Sequence, residues 1–351
     1  MFLRYKMKTR IVLIGLFSGL LFGIATPLSK IILAELNSFQ LAGLLYLGAA
    51  CAFLPYIIKH RKTEFVALRQ SGKKKYLAGV IVFGGIIGPF FLMAGLKAAD
   101  AMSVSVWLNL ELVATALLGI LIFKDHLDRY AIVGILLTLA AGILVSFQES
   151  TSGIFSAFLI FIACVAWGLD NHLSAIIDGV APQTITFVKG FFGGLTNLII
   201  GLFLNDGQIQ LDYIPLALLI GVFSYGISIV LYVYTAQNLG ATRSQILFST
   251  APFWGIIAAW IFLHEPLTLT VLISFLMLVS GILFTNIATH GHFHTHKKMV
   301  HIHQHGHDDG HHNHIDEDDN EKSLKHSHVH KHKDFNHTHN HFPDLHHRHE
   351  H

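Results

Sequence analysis

The chain has 351 residues, of which 52% are hydrophobic and 13% are charged, with a formal net charge of +2 and a mean hydropathy of +0.54. A soluble domain carries about 25% charged residues, so the composition excludes a water-soluble enzyme and indicates a protein of the lipid bilayer. Cys51 and Cys164 lie within apolar stretches and give no disulfide framework. The basic residues cluster at the edges of apolar stretches, where membrane topology explains them, so no nucleic-acid partner is predicted.

Ten apolar stretches before residue 290 approach the length of about 20 residues that a membrane-crossing helix needs. They are continuously apolar and lack the alternation of a membrane strand, so we expect helices and not a barrel. The longest connection is expected to be a loop over residues 59–75. The predicted spans are 11–32, 40–58, 77–96, 102–123, 130–147, 154–177, 183–204, 214–236, 245–263 and 269–288.

The distribution of Lys and Arg predicts the orientation in the membrane. Basic residues fill the N-terminal segment and alternate connections, whereas the opposite connections hold only Lys97. The positive-inside rule therefore predicts a multi-pass protein of the cytoplasmic (inner) membrane with both termini in the cytoplasm. A cleaved signal peptide is the weaker interpretation of the first stretch, because the later spans need this helix to keep their orientation.

The two halves of the membrane part resemble each other. The sequence FKDHL at 123–127 corresponds to LHEPL at 263–267, 140 residues later, and GIL at 142–144 recurs at 281–283. Five spans per half is an odd number, so the second half must run inverted in the membrane. Inverted repeats are a recurring plan of secondary transporters, which hold the substrate near the midplane between the halves. The predicted domains are two five-helix repeats over 1–148 and 149–289 and a tail over 290–351.

The ten-span layout and the paired sequences FKDHLDRYAIVGILLTLAAGIL and LHEPLTLTVLISFLMLVSGIL resemble EamA-type members of the drug/metabolite transporter superfamily, over about residues 20–290. The resemblance implies an all-α membrane protein of ten transmembrane helices in two inverted repeats, not an enzyme and with no required cofactor. It implies exchange of a small solute against protons or another solute. The solute stays open, because the family ranges over amino acids, nucleotide sugars, metabolites and drugs. Pro252 fits the family pattern, whereas Leu112 takes the aligned position in the first half.

Polar and ionisable residues within the spans are functional candidates, since a charge there costs at least ~2.5 kcal/mol on insertion scales. Asp170 and Lys189 each lie about seven residues from the inner ends of adjoining spans, so we expect a buried ion pair with a structural or a transport role. Glu111 lies nearer the midplane without an obvious partner and is the preferred proton site; a neutral, hydrogen-bonded acid is the alternative. The candidate pathway residues are Asn109, Glu111, Asp170, Asn171, His172, Lys189 and Asn197.

Other residues of the membrane part have simpler interpretations. His172 is either a ligand or proton relay or the partner of a nearby carbonyl. Lys30 is expected to anchor the first span at the interface, and Asp125 and Glu265 lie in turns, where we expect solvation. The small residues favour close helix packing and the prolines favour kinks: Gly15, Gly19, Gly23, Gly190, Gly193, Gly194, Pro27, Pro89 and Pro252.

The segment after residue 289 contains 22 of the 26 histidines, interleaved with acidic residues. This composition cannot bury a core, so we expect a disordered tail. Neutral imidazole binds Zn, Ni, Co and Cu(II), and the scarcity of Met and Cys argues against Cu(I). The candidate metal ligands are His290, His292, His294, His296, His301, His303, His305, His307, His311, His312, His314, His326, His328, His330, His332, His337, His339 and His341.

Three functions are consistent with these observations. The first is proton-coupled export of a metabolite or amino acid with a metal-responsive tail, the second is efflux of Ni, Co or Zn, and the third is a membrane-anchored metal-binding protein that does not transport. The Asp-Asn-His sequence at 170–172 suits a divalent cation, whereas Lys189 would repel one and suits an anionic or zwitterionic solute. A homodimer is left open. An intramembrane enzyme is not supported, because the spans contain no zinc-helix, nucleophile-elbow or paired-aspartyl motif.

Overall fold

The computed structural model describes residues 2–70, 72–123, 129–148, 151–177, 180–239 and 241–287, and in the tail 290–296, 300–305, 326–331 and 335–341. The described residues before 290 form ten helical segments, α1 to α10. α1 consists of Phe2–Gly23 and Ala25–Ile32, α2 of Ser38–Gln70, α3 of Lys74–Gly79, a π-helix at Val80–Ile87 and Gly88–Lys97, α4 of Ala101–Trp107 and Leu110–Phe123, and α5 of Arg129–Ser146. α6 is Thr151–Ile176, α7 is Pro182–Phe203, α8 comprises a 3-10 turn at Leu211–Tyr213, Ile214–Ile220, a π-helix at Gly221–Ile227 and Ser228–Leu239, α9 comprises Ala241–Phe248 and Ala251–Leu263, and α10 is Leu269–Ile287.

Eight of these segments are long and apolar enough to cross a membrane, and the apolar parts of α5 and α10, Ile132–Ser146 and Leu269–Phe284, are shorter. Backbone groups in hydrocarbon need internal hydrogen bonds, which explains why continuous apolar stretches form helices. Their outer faces carry bare apolar side chains: Phe203 is 87% exposed and Leu121 is 78% exposed. The loop expected over 59–75 is wrong for most of its length, because α2 continues as a helix to Gln70.

Several helices are interrupted, and the interruptions of α3 and α4 recur in α8 and α9 of the second half. α4 breaks after Trp107 and α9 breaks after Phe248, while the π-helix of α3 begins at Val80 and that of α8 begins at Gly221. Both pairs are separated by 141 residues, close to the repeat offset in the sequence. The three prolines predicted to kink spans lie just after interruptions: Pro27 in Ala25–Ile32, Pro89 near the start of Gly88–Lys97, and Pro252 near the start of Ala251–Leu263. A proline fits the first turn of a helix, where its missing N–H leaves no bond unmade.

Connections between helices gather at two opposite ends of the bundle. At one end, called here the Lys30 end, Lys30 bonds the carbonyl of Leu96 at 2.8 Å, linking α1 to α3. The α1–α2 and α7–α8 connections meet there through Gln40 and Gln208, and the α5–α6 and α9–α10 connections meet through Gln148 and Thr268. These four connections, and the α3–α4 connection that begins next to Leu96, all follow odd-numbered helices, so successive helices run in opposite directions.

At the other end, called here the Glu64 end, the described connections follow even-numbered helices. The hydroxyl of Thr184 at the start of α7 donates to Glu64 at 2.7 Å, which links α2 to α7. Gln237 near the end of α8 donates to the carbonyl of Ile177, which follows α6, at 3.0 Å. The two ends therefore have separate networks of contacts.

Equivalent helices of the two halves make equivalent contacts. α1 packs on α8 and α9, while α6 packs on α3 and α4; α2 packs on α8, while α7 packs on α3. Three further contacts, α2 with α7, α4 with α9 and α5 with α10, join equivalent helices of the two halves. Replacing each helix of one half by its equivalent in the other half, α1 by α6 and so on to α5 by α10, therefore gives the same set of contacts.

Glycines allow the closest of these approaches, as the sequence predicted. A Cβ on Gly194 of α7 would lie 2.7 Å from the backbone nitrogen of Leu47 in α2, so α2 and α7 touch through their backbones. A Cβ on Gly23 of α1 would overlap the carbonyl of Ala251 in α9. Small residues at such crossings let membrane helices pack without a gap.

The described parts of the tail form four short strands. His290–His296 (β1) pairs antiparallel with Phe335–His341 (β4), and Val300–His305 (β2) pairs antiparallel with His326–Lys331 (β3). In these ranges the alternation of histidine with other residues matches the two-residue period of a strand. The disorder expected for the tail as a whole stays a prediction. His307, His311, His312, His314 and His332 lie outside the described residues.

Candidate functional site

The predicted ion pair between α6 and α7 is present. The Lys189 ammonium lies 2.7 Å from a carboxylate oxygen of Asp170, and both side chains are buried. Ser174, one turn along α6, donates to the other carboxylate oxygen at 3.1 Å. A Cβ on Gly84 in the π-helix of α3 would overlap the Asp170 carboxyl group. The pair is therefore enclosed by three helices, and its charges neutralise each other.

Glu111 lies at the start of the second part of α4 and is buried. The expectation that it lacks a partner is wrong, because the amide of Asn171 in α6 donates to its Oε1 at 2.8 Å. The same amide nitrogen lies 3.1 Å from Oε1 of Gln245 in α9 and 3.3 Å from the hydroxyl of Thr115. Asp170 and Asn171 are adjacent in a helix, so their side chains point about 100° apart, one toward α7 and the other toward α4.

His172 has the simpler of its two predicted roles in this arrangement. Its Nε2 lies 2.9 Å from the carbonyl oxygen of Thr115, which joins α6 to α4. A Cβ on Gly168, one turn earlier, would lie 3.1 Å from the backbone nitrogen of Thr115, so the two helices approach closely here. His172 thus fastens α6 to α4 beside Glu111.

Asn109 lies in the interruption of α4, between Trp107 and Leu110. Its side chain is 2% exposed, and neither its Oδ1 nor its Nδ2 has a hydrogen-bond partner among the described residues. A buried amide without partners costs free energy, and it provides one donor and one acceptor for a bound solute or water.

Asn197 of α7 contacts the π-helix of α3. Its amide nitrogen donates to the carbonyls of Gly85 at 3.2 Å and Ile86 at 3.3 Å. The carbonyl of Gly84 in the same π-helix accepts from the Tyr46 hydroxyl at 2.6 Å. π-Helical turns are frequent at functional sites, and here side chains of α2 and α7 bond the backbone of the widened turn.

Aromatic side chains from several helices pack around Phe22, and this cluster was not predicted from the sequence. Phe22 of α1 lies 5.9 Å from Trp167, 5.5 Å from Tyr225 and 5.0 Å from Phe248 between ring centroids. Tyr232 of α8 lies 5.1 Å from Phe248. The sequence is rich in Phe, and the clue it offered was that Phe22 and Phe248 each shortly precede a proline, Pro27 and Pro252.

Two tyrosine hydroxyls of this cluster stand without partners. The hydroxyls of Tyr225 and Tyr232 are buried and have no hydrogen-bond partner within the part of the chain that the structure describes. The region therefore combines aromatic faces, unsatisfied polar groups and buried carboxyl groups.

The charge balance of the buried region distinguishes its two carboxyl groups. Asp170 has Lys189 as a direct partner, whereas Glu111 has only neutral amides at hydrogen-bond distance among the described side chains. The two carboxyl groups therefore differ in the charge of the groups that bond them. No group of three or more His, Cys, Asp or Glu side chains that could hold a metal ion occurs among the described side chains.

Comparison with known proteins agrees with a transport fold. The profile of the EamA-like transporter family matches the chain twice, at residues 9–147 and 154–287. An uncharacterized transporter of Methanothermobacter thermautotrophicus is 29% identical over 280 residues, covering 74% of this chain and 81% of that protein. The uncharacterized transporter YoaV of Bacillus subtilis is 20% identical over 282 residues, covering 77% of this chain and 95% of that protein.

A solved crystal structure shares the fold. It superposes with a TM-score of 0.60 at 16% sequence identity and covers 80% of this chain and 97% of that chain. At that identity the similarity concerns the fold alone. The two matches to the family profile extend over most of the membrane part. The chain therefore belongs to the EamA-like transporter family.

Proposed function

We propose that the protein is a secondary transporter that exports a small organic solute, a metabolite or amino acid, in exchange for protons by alternating access. The observation that carries this proposal is Glu111, a buried carboxyl group whose hydrogen-bond partners among the described side chains are neutral, while the nearby Lys189 ammonium is paired with Asp170. Ionisable groups within spans are functional by default because they are costly there. A carboxyl group that binds a proton in one arrangement and releases it in another couples proton flow to solute flow.

The packing of the helices supports two inverted repeats of five spans each. The contact pattern is preserved when α1–α5 are exchanged with α6–α10, and the interruptions recur 141 residues apart. We infer that α5 and α10 complete a ten-span bundle. In such a bundle the site lies between the halves near the midplane, where Glu111 of α4 meets Asn171 of α6 and Gln245 of α9.

The basic residues support an orientation with the Glu64 end in the cytoplasm. Lys59, Arg61, Lys62 and Arg69 lie on the part of α2 next to that end, whereas Lys30 and Lys97 are at the Lys30 end. The positive-inside rule then places the Lys30 end outside and both termini in the cytoplasm of an inner-membrane protein.

The experiment that tests proton coupling uses proteoliposomes that contain a pH-sensitive dye. A panel of amino acids and amines is added outside, and Ni²⁺, Co²⁺ and Zn²⁺ are added in separate assays. We expect at least one organic solute to elicit proton flux with the unmodified protein and none with Glu111→Gln, which keeps the shape of the side chain. Glu35→Gln is the control, because Glu35 is exposed. Flux that survives Glu111→Gln would remove Glu111 from the mechanism.

The histidine tail favours a second candidate function, efflux of a divalent metal. In the function proposed first, the tail has a different role: we propose that it binds Zn²⁺, Ni²⁺, Co²⁺ or Cu²⁺ in the cytoplasm and responds to metal without forming the transport site. Truncation after residue 289 should lower metal binding and leave proton-coupled flux of the organic solute intact. Metal flux in the dye assay would support efflux instead, and metal binding without any flux would support an anchored metal-binding protein.

A further inference from the structure

Glu265 joins the two halves at the Lys30 end of the bundle. It lies in the connection between α9 and α10, and its Oε1 and Oε2 accept hydrogen bonds from the backbone nitrogens of Ala101 and Met102, each at 2.8 Å. The first N–H groups of a helix lack partners within it, and a carboxylate that accepts two of them makes strong, charge-assisted bonds. The expectation that Glu265 is simply solvated is therefore wrong. Asp125, the matching residue in the sequence repeat, lies outside the described residues.

Lys30 extends this contact to α1. Its ammonium group donates to the carbonyls of Leu96 at 2.8 Å, Lys97 at 3.2 Å and Ala99 at 2.8 Å. The interfacial anchoring expected of Lys30 stays a prediction. Lys30 and Asp100 also interact electrostatically with Glu265. One cluster of polar contacts thus joins α1, the α3–α4 connection and the α9–α10 connection.

The helices below this cluster are in direct contact. A Cβ on Gly255 of α9 would overlap the hydroxyl of Ser105 in α4, and Ser105 is 1% exposed. On the same face of α9, one turn earlier, Gly23 of α1 contacts the backbone at Ala251. This packing leaves no room for a solute between α4 and α9 at the level of Ser105.

We propose that Glu265 is a positioning residue that holds the Lys30 end closed, and that its two bonds to the start of α4 must break for that end to open. The proposal depends on the transport function above, because alternating access requires each end to open in turn. Glu265 touches no solute in this role. It sets how often α4 separates from the α9–α10 connection.

The test measures opening directly, by thiol labelling of the purified protein in nanodiscs, where both ends are accessible. The background carries Cys51→Ala and Cys164→Ser, and Ser105→Cys reports on the contact between α4 and α9. We expect Glu265→Ala to speed the reaction of this cysteine with a charged, membrane-impermeant methanethiosulfonate roughly tenfold, as the loss of a charge-assisted bond implies. Glu265→Asp, which keeps the charge on a shorter side chain, should give a smaller acceleration.

Two controls separate opening from general loosening. Thr184→Cys places the reporter at the buried start of α7, at the Glu64 end, and its labelling should not accelerate with Glu265→Ala. Glu35→Ala removes an exposed acid near the Lys30 end and should change neither rate. An unchanged rate at Ser105→Cys, or equal acceleration at both reporters, would overturn the proposal. If the alanine variant does not fold, Glu265→Asp is judged by the same two outcomes.

Labelling needs no solute, so the two proposals fail separately. Acceleration at Ser105→Cys without solute flux from the unmodified protein would support the closure and contradict transport. Flux with no acceleration would contradict the closure and leave the transport proposal standing.

Discussion

Two neighbouring residues of α6 have opposite environments. Asp170 is held by the Lys189 ammonium and the Ser174 hydroxyl, and the packed Gly84 leaves no space beside it. Asn171 points to α4, where it bonds the carboxyl group of Glu111, two residues after Asn109 with its unpartnered buried amide. The comparison indicates that burial alone does not identify a working site. A buried charge with complete partners fixes the packing of helices, and a buried acid with neutral partners keeps the freedom to exchange a proton.

The largest expected effect comes from breaking the ion pair on one side only. Asp170→Asn leaves the Lys189 ammonium buried without a counter-charge, which should cost about 3–5 kcal/mol of stability. The double variant Asp170→Asn with Lys189→Met removes both charges and should recover most of this loss. Thermal unfolding, monitored by size-exclusion chromatography, measures the stability of the single and the double variant. Equal loss in the single and double variants would show that the pair is not a structural element.

A smaller loss is expected where the pair is enclosed. Gly84→Ala would force a methyl group into the Asp170 carboxyl group, and overpacking of this kind costs about 1–3 kcal/mol. Gly142→Ala is the matched control, because a Cβ there would meet its nearest neighbours at 3.7 Å, an ordinary contact. Alanine is the better helix former, so this control should be neutral or slightly stabilising. The unfolding midpoints of the two variants give the comparison, and similar midpoints would contradict the close packing at Gly84.

The smallest expected effect concerns Glu265, a third carboxyl group at the end of the bundle. Burial raises its pKa, and the bonds from Met102 and Ala101 act in the opposite direction. When the end opens, the carboxyl group is hydrated and its pKa returns toward the ordinary value, so the closed arrangement binds protons more readily. Protonation weakens the bonds from Ala101 and Met102, but it also removes the larger cost of keeping a charge partly buried in the closed arrangement. Closure should therefore strengthen as pH falls through the raised pKa and weaken as pH rises above it.

The labelling rate at Ser105→Cys, divided by the rate in the Glu265→Ala background at the same pH, isolates this effect from the chemistry of the thiol. We expect the ratio to fall by roughly two- to threefold between about pH 8 and about pH 5, a modest change because a half-exposed carboxyl group is screened by water. A ratio that rises with acid would contradict the assigned direction.

The sequence predicted the elements that depend on composition and depth. The apolar stretches located the helices, and equal distances from the inner surface correctly paired Asp170 with Lys189. It could not predict which helix Asn171 faces, because helices in lipid are apolar on most sides and hydrophobic periodicity does not fix their rotation. The partner of Glu111 was missed for that reason.

Other elements depend on contacts between distant parts of the chain. Tyr46, Trp167 and Asn197 from three other helices donate hydrogen bonds to the backbone of the π-helix at Val80–Ile87. The local sequence contains no pattern that predicts this π-helix. From the sequence, Glu265 is interpreted as a turn residue, because its contact with the start of α4 depends on how distant parts of the chain pack. The sequence repeat was visible, but the exchange of partners between the halves emerged only from packing.

Infrared difference spectroscopy of the purified protein between two pH values tests the central claim, that Glu111 is the carboxyl group that takes up and releases a proton. In a background that carries Glu265→Ala, which removes the titrating carboxyl group at the end of the bundle, the account predicts a protonated-carboxyl band that changes with pH, vanishes with Glu111→Gln and persists in the double variant Asp170→Asn with Lys189→Met. A band that persists with Glu111→Gln, or that is lost only in the double variant, would contradict it.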